Sequence, residues 1–138
     1  GASEVIYGGH SAGGLSGLIA GALDVRTVGV IGLDATDADG VGLGYAPLLD
    51  APAIGLLGEP SDCNSDCNGS ALYEAASDAI AVRVTDADHC DYESDTDWMC
   101  TTFCSSSFTS KPRATSQHSS VMSRISSPAQ IPAPRIVV

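Results

Sequence analysis

Val5-Ile6-Tyr7-Gly8-Gly9-His10-Ser11-Ala12-Gly13-Gly14-Leu15 is the stretch that decides how this chain folds. Glu4 to Tyr7 is short and β-prone, while Ala12 to Leu23 is rich in Leu, Ala and Gly at helical spacing. Between them lies Gly9-x-Ser11-x-Gly13, the pattern of a serine on a sharp strand-to-helix turn, or nucleophile elbow. At such a turn the serine backbone is strained. Side chains two residues to either side are expected to collide with strand and helix, so glycine is expected to be required at both places. Gly14 leaves further room for close helix packing. The turn also sets Ser11 at the positive end of the following helix, where developing negative charge is stabilised. The chemistry indicated is acyl transfer through a serine.

Working outward, Thr27 to Leu33 (TVGVIGL) is a near-continuous apolar run, as expected of a strand buried on both faces of a parallel sheet. Ala53 to Leu57 and Ala79 to Val84 read as further strands. Ser70 to Ser77, with Ser70 as its cap, and Asp95 to Phe103 read as helices. The alternation predicts an α/β domain over residues 1–104, with a mostly parallel sheet flanked by helices. From Ser105 onward Ser, Pro, Thr and Ala dominate without periodicity, so 105–138 is expected to be a poorly ordered tail.

The 138 residues suffice for one modest domain, and 43% hydrophobic residues suffice for its core. A net charge of −11, with only six basic residues, argues against nucleic acid and anionic membrane surfaces as partners. No run of about twenty apolar residues is present, so no spanning helix is expected. The five cysteines, at 63, 67, 90, 100 and 104, point to disulfides and a secreted or extracytoplasmic location, with one thiol left over. Cys100 and Cys104, sharing a helix at i, i+4, are too far apart to bridge each other, which leaves Cys63, Cys67 and Cys90 as partners. Connectivity stays open at this level.

The same cysteines compete as zinc knuckles, but the two pairs are widely separated. The acidic run Asp34 to Gly40 invites a calcium reading. It fails because Ala35 and Ala46 occupy positions where an EF-hand loop needs acids. No metal or cofactor is expected. No cysteine occupies an elbow-like turn, so a cysteine nucleophile is disfavoured.

A serine hydroxyl needs a histidine to take its proton, and that imidazole needs a carboxylate to orient it. His89 lies in a loop just beyond the strand ending at Val84, at the sheet edge where open α/β sheets form their sites. It is the expected general base. His10 adjoins the nucleophile, but its side chain is expected to project to the opposite side, in a packing or hydrogen-bonding role. His118 falls in the tail. For the acid, sheet geometry leaves two possibilities open: Asp34 after the second strand, and Glu59 or Asp62 after the third. The backbone N–H of Ala12, next after the nucleophile, is the expected oxyanion donor.

VIYGGHSAGG, VIGLDATDADG, APAIGLLGEPSDCN and VTDADHCDYES together resemble the C-terminal half of an α/β-hydrolase, particularly the chlorophyllase-like and polyester-hydrolase-like serine esterases. The resemblance spans roughly residues 4 to 104. It implies a partial α/β-hydrolase fold without the strands that precede the elbow, and hydrolysis of carboxylic esters of lipid, polyester or small-molecule type. In chlorophyllase-like enzymes the segment after the second of these strands reads Gly-Leu/Ile-Asp-Pro-Val, and its aspartate is the acid. Gly32-Leu33-Asp34 matches, while Ala35-Thr36 departs from Pro-Val. In cutinase-like relatives the acid comes one strand later, which keeps Glu59 and Asp62 in play. The absent strands normally supply the second oxyanion donor, so the chain reads as a fragment of a larger enzyme. Two further readings remain: an inactive relic of the elbow, and cleavage of another acyl class such as a thioester or peptide.

Overall fold

The computed structural model describes residues 1–94, 96 and 98–104. Along the chain run strand β1 (Val5–His10), helix α1 (Ala12–Leu23), β2 (Thr27–Leu33), β3 (Ala53–Leu57), α2 (Ser70–Ala75), β4 (Ala79–Arg83) and α3 (Trp98–Phe103). The strands form one sheet in the order β1-β2-β3-β4, and every pair is parallel. The chain is therefore α/β.

Some boundaries differ from the sequence reading. β1 runs on to His10, because Gly8, Gly9 and His10 continue the ladder opposite Ile31, Gly32 and Leu33. Ser70 does not cap α2. It is the first helical residue, and Gly69 holds the cap position, where a Cβ would run into the backbone of Ala35. α3 is described from Trp98, and Asp95 and Asp97 lie outside the described residues, as do 105–138, the expected tail, with His118.

The sheet's two faces differ. On one, Val30 and Ala53 are buried against α1, α2 and the β2–β3 connection. Leu15 and Leu18 of α1, Leu49 of the connection, and Leu72 and Tyr73 of α2 complete that core. Small residues make the approach close: the Val30 side chain occupies the place of a Cβ at Gly21, and the Tyr73 ring covers Gly32 and Gly55. Burial of that ring pushes the Tyr73 phenol up to about 12. Residues of the opposite parity point away from these helices. Ile31, Ile54 and Ile80 stand side by side in register and keep 41%, 38% and 61% of their surface exposed. β2 is thus not buried on both faces as its apolar run implied, because α1 and α2 share one face and no described helix covers the other.

Parallel pairing and crossover connections bring all four strand ends to one edge. Ser11 follows β1, Asp34 follows β2, Gly58 follows β3, and His89 lies in the loop after β4. The candidate site is built there.

Candidate active site

Ser11 occupies the bend between β1 and α1 with φ 55° and ψ −126°, a conformation that costs a non-glycine residue about 1–3 kcal/mol. Its neighbours hold it there. The Ser11 N–H donates to the Leu33 carbonyl at 3.0 Å, and the Ser11 carbonyl accepts from Gly14 N–H at 3.0 Å, with longer bonds from Leu15 and Thr36. A Cβ at Gly9 would collide with the Gly13 backbone, and one at Gly14 would come within 2.7 Å of the Ala35 Cβ. At Gly13 the expectation fails: a Cβ there meets nothing within 4 Å. The reason is helical phase, since the first turn of α1 leans Gly14, not Gly13, on the loop after β2. Ala12 opens α1, so its N–H is among the amides that have no partner inside the helix.

Asp34 is fully buried, in the left-handed conformation at φ 43°, which aspartate tolerates better than most residues. Its own N–H donates to the Leu56 carbonyl at 2.7 Å, tying the turn to β3. Oδ1 accepts from Gly58 N–H at 2.8 Å; Oδ2 accepts from Asn64 Nδ2 at 3.1 Å and from His89 Nδ1–H at 2.7 Å. Burial works to raise the pKa of this carboxyl, but the donors from His89, Gly58 and Asn64 outweigh it and hold the group below the ordinary aspartate range. It is an anion fixed in place by donors on three sides.

His89 begins a single 3-10 turn, His89–Tyr92, whose N-terminal end carries a reciprocal capping box. Asp88 Oδ1 accepts from Cys90 N–H at 2.9 Å, and Asp91 Oδ2 accepts from Asp88 N–H at 2.9 Å. The Cys90–Cys100 disulfide ties the same turn to α3. With its Nδ1–H directed at Asp34, the imidazole turns Nε2 toward Ser11, whose hydroxyl lies 3.0 Å away. Ser11, His89 and Asp34 thus stand in one continuous hydrogen-bonded series, from a half-buried hydroxyl to a fully buried carboxylate.

The other acids stand apart from it. The Glu59 carboxylate lies 3.9 Å from Arg83 and accepts from Asp86 N–H at 3.4 Å, and Asp62 is exposed at the start of a 3-10 turn. Neither is a partner of His89 among the described residues. Sequence reasoning missed Asn64, which is fully buried and uses both ends of its amide. Its Nδ2 donates to Asp34 and to the Glu59 carbonyl at 2.9 Å, and its Oδ1 accepts from Ser61 and Cys67 N–H at 2.8 and 2.9 Å. A capping pattern from Ser61 to Asn64 is readable in the chain; the reach to Asp34 is not.

His10 takes the packing and hydrogen-bonding role expected of it, with Nε2 2.9 Å from the His89 carbonyl oxygen, but its ring faces the His89 turn, with centroids 4.4 Å apart, instead of projecting away. β1 continues to His10, and the bend follows at Ser11.

The cysteines pair as Cys63–Cys104 and Cys90–Cys100, and Cys67 is free and buried. Burial pushes the Cys67 thiol up, against the opposing pull of Arg83. Among the described residues no cluster of His, Cys, Asp and Glu is arranged to hold a metal ion, and no helix is long and apolar enough to cross a membrane. No family model, curated protein or solved structure matches this chain.

Proposed function

We propose that the chain carries the catalytic machinery of a serine hydrolase acting on carboxylic esters, within an α/β-hydrolase fold. The observation that carries this reading is the Ser11–His89–Asp34 series, with its tautomer set by a buried carboxylate. As the Ser11 oxygen attacks the ester carbonyl, His89 Nε2 takes the hydroxyl proton, and Asp34 stabilises the imidazolium without taking a proton itself. The tetrahedral oxyanion lies toward the N-terminus of α1, where the Ala12 N–H donates to it. Collapse expels the alcohol, which leaves with the proton from His89, and Ser11 is left as an acyl ester. Water then attacks under the same base, releasing the acid and restoring the hydroxyl. The chemistry uses no cofactor. Disulfides near the site support a secreted or extracytoplasmic enzyme.

The test is hydrolysis of a short-chain nitrophenyl ester by the chain and by Ser11→Ala, with fluorophosphonate labelling of each. Turnover and labelling that vanish together in the variant support the reading. Activity that survives Ser11→Ala overturns it, and so does a wild-type chain that neither turns over the ester nor takes the label.

A further inference from the structure

Beside the hydrogen-bonded series, one further polar side chain spans from the elbow to the base. His10 Nε2 lies 2.9 Å from the main-chain carbonyl oxygen of His89. A carbonyl only accepts, so the proton on His10 resides on Nε2 and the bond runs from His10 to His89. The other nitrogen, Nδ1, is 3.6 Å from Glu93 Oε1. The His10 ring tilts at 42° over the His89 ring and stacks at 24° on Tyr92, 6.4 Å away. One residue next to Ser11 in the chain therefore grips the backbone of the histidine that serves it.

We propose that His10 is a positioning residue for His89, and that its Nε2–H bond to the His89 carbonyl holds the imidazole in line between Asp34 and Ser11. This rests on the ester-hydrolase reading. The two side-chain bonds of His89, at 2.7 and 3.0 Å, define a line through the ring. They leave the ring free to rock about that line. The His10 bond adds a third hold at the His89 carbonyl, beside the capped turn and the Cys90–Cys100 disulfide, and the tilted His10 ring blocks the rocking. Because His10 precedes Ser11 directly, its bond ties the elbow to the turn that carries the base.

The charge state of His10 agrees with that role. Burial and the neighbouring His89 lower its pKa, against the opposing effects of its bond to the His89 carbonyl and of Glu93 and Asp34. His10 is then neutral at neutral pH, and no permanent positive charge sits beside the ring that becomes an imidazolium. His89, Tyr92 and Glu93 face His10, and Asp34 acts on it through space.

Three variants separate the donor from the ring. His10→Phe keeps an aromatic ring without the N–H, His10→Gln keeps a donor near the Nε2 position, and His10→Asn carries a donor too short to reach the carbonyl. The readouts are kcat and KM on the nitrophenyl ester and the downfield proton resonance of the His89 Nδ1–H on Asp34. His10→Phe and His10→Asn should each lose about tenfold to a hundredfold in kcat, the scale of a small misplacement of a reacting group. KM should barely move, and the downfield resonance should broaden or vanish. His10→Gln should hold kcat within about threefold, a change of well under 1 kcal/mol in the barrier, and keep the resonance. The proposal is overturned if all three variants keep a sharp resonance and a common kcat, or if Gln and Phe fail alike. Should the wild type prove inactive on esters, that defeats the ester-hydrolase reading alone, and the resonance still decides whether His10 positions His89.

Discussion

Replacing Asp34 by Asn keeps the shape of the side chain and removes one acceptor, and the structure fixes what must follow. Both oxygens of Asp34 face donors: Oδ1 the Gly58 N–H at 2.8 Å, and Oδ2 the His89 Nδ1–H at 2.7 Å and Asn64 Nδ2 at 3.1 Å. An asparagine has one acceptor oxygen and one NH2. If its oxygen meets Gly58, its NH2 meets His89 Nδ1, and the imidazole moves its proton to Nε2. That proton then points at the Ser11 oxygen, and the lone pair that accepts the serine proton is gone. If the amide flips, two N–H groups oppose each other at Gly58, in a buried site where an unmade bond costs about 1–3 kcal/mol. In the first arrangement the NH2 also opposes Asn64 Nδ2, but Asn64 keeps the Glu59 carbonyl at 2.9 Å and lies 3.4 Å from the Oδ1 position, whereas the flip leaves the Gly58 N–H facing a donor. The first arrangement is therefore cheaper, and a base in the wrong tautomer lowers kcat by about 10⁴-fold. That equals about 5.4 kcal/mol on the barrier. The assay is kcat on a short-chain nitrophenyl ester for Asp34→Asn beside Glu59→Gln, whose carboxylate faces Arg83 and Asp86. Glu59→Gln should stay within about fivefold of wild type, since an exposed ion pair is worth at most about 1 kcal/mol. If Asp34→Asn keeps a tenth or more of the wild-type rate, or if the Glu59 variant suffers the larger loss, the assignment of the acid is wrong.

The remaining expectations concern stability as well as rate. Gly9→Ala pushes a methyl into the Gly13 backbone and should cost about 1–3 kcal/mol, whereas Gly13→Ala enters open space inside a helix and should gain about 0.5–1 kcal/mol; thermal melts of the two give opposite shifts in Tm. Because the Asp34 carboxyl sits below its unfolded value, its contribution to stability is complete above pH of about 4 and is lost as pH falls through the folded pKa. Wild-type Tm should therefore drop more steeply than that of Asp34→Asn on acidification from neutral to pH of about 3, and parallel curves would contradict this. Cys90→Ser with Cys100→Ser opens a loop of sequence separation 10, which loop-closure entropy rates at about 3 kcal/mol, so urea midpoints should fall and kcat should fall with them as the His89 turn loosens. An unchanged kcat in that pair would separate the disulfide from the ordering of His89.

Much of this arrangement was legible in the chain, and particular residues show where legibility stopped. The strand β1, helix α1 and the serine between them follow from local composition, since Gly9 and Gly14 answer to contacts within a few residues or with the adjoining loop. Asp34 and His89 were readable as loop residues past strand ends, but Glu59 and Asp62 satisfied the same rule. The choice among them depends on where Gly58 and Asn64 aim their donors. Asn64 itself carried no signal for this role, because its partner in the chain is thirty residues away. The packing or hydrogen-bonding role of His10 was legible, but not its partner, since the His89 turn lies 79 positions along the chain.

What the sequence by itself determined is the parallel α/β arrangement and the strained serine, because strand and helix periodicity and glycine placement act over neighbouring residues. What only the tertiary structure decided is the hydrogen-bonded series of Ser11, His89 and Asp34, the contacts that Asn64 and His10 make with it, and the exposure of Ile31, Ile54 and Ile80 on a face that no described helix covers. Those depend on how parallel strands bring distant loops to a common edge and on which side the helices pack. Hydrogen bonds of 2.7 to 3.0 Å between residues 55 and 78 positions apart are set by that geometry, and no local pattern encodes them.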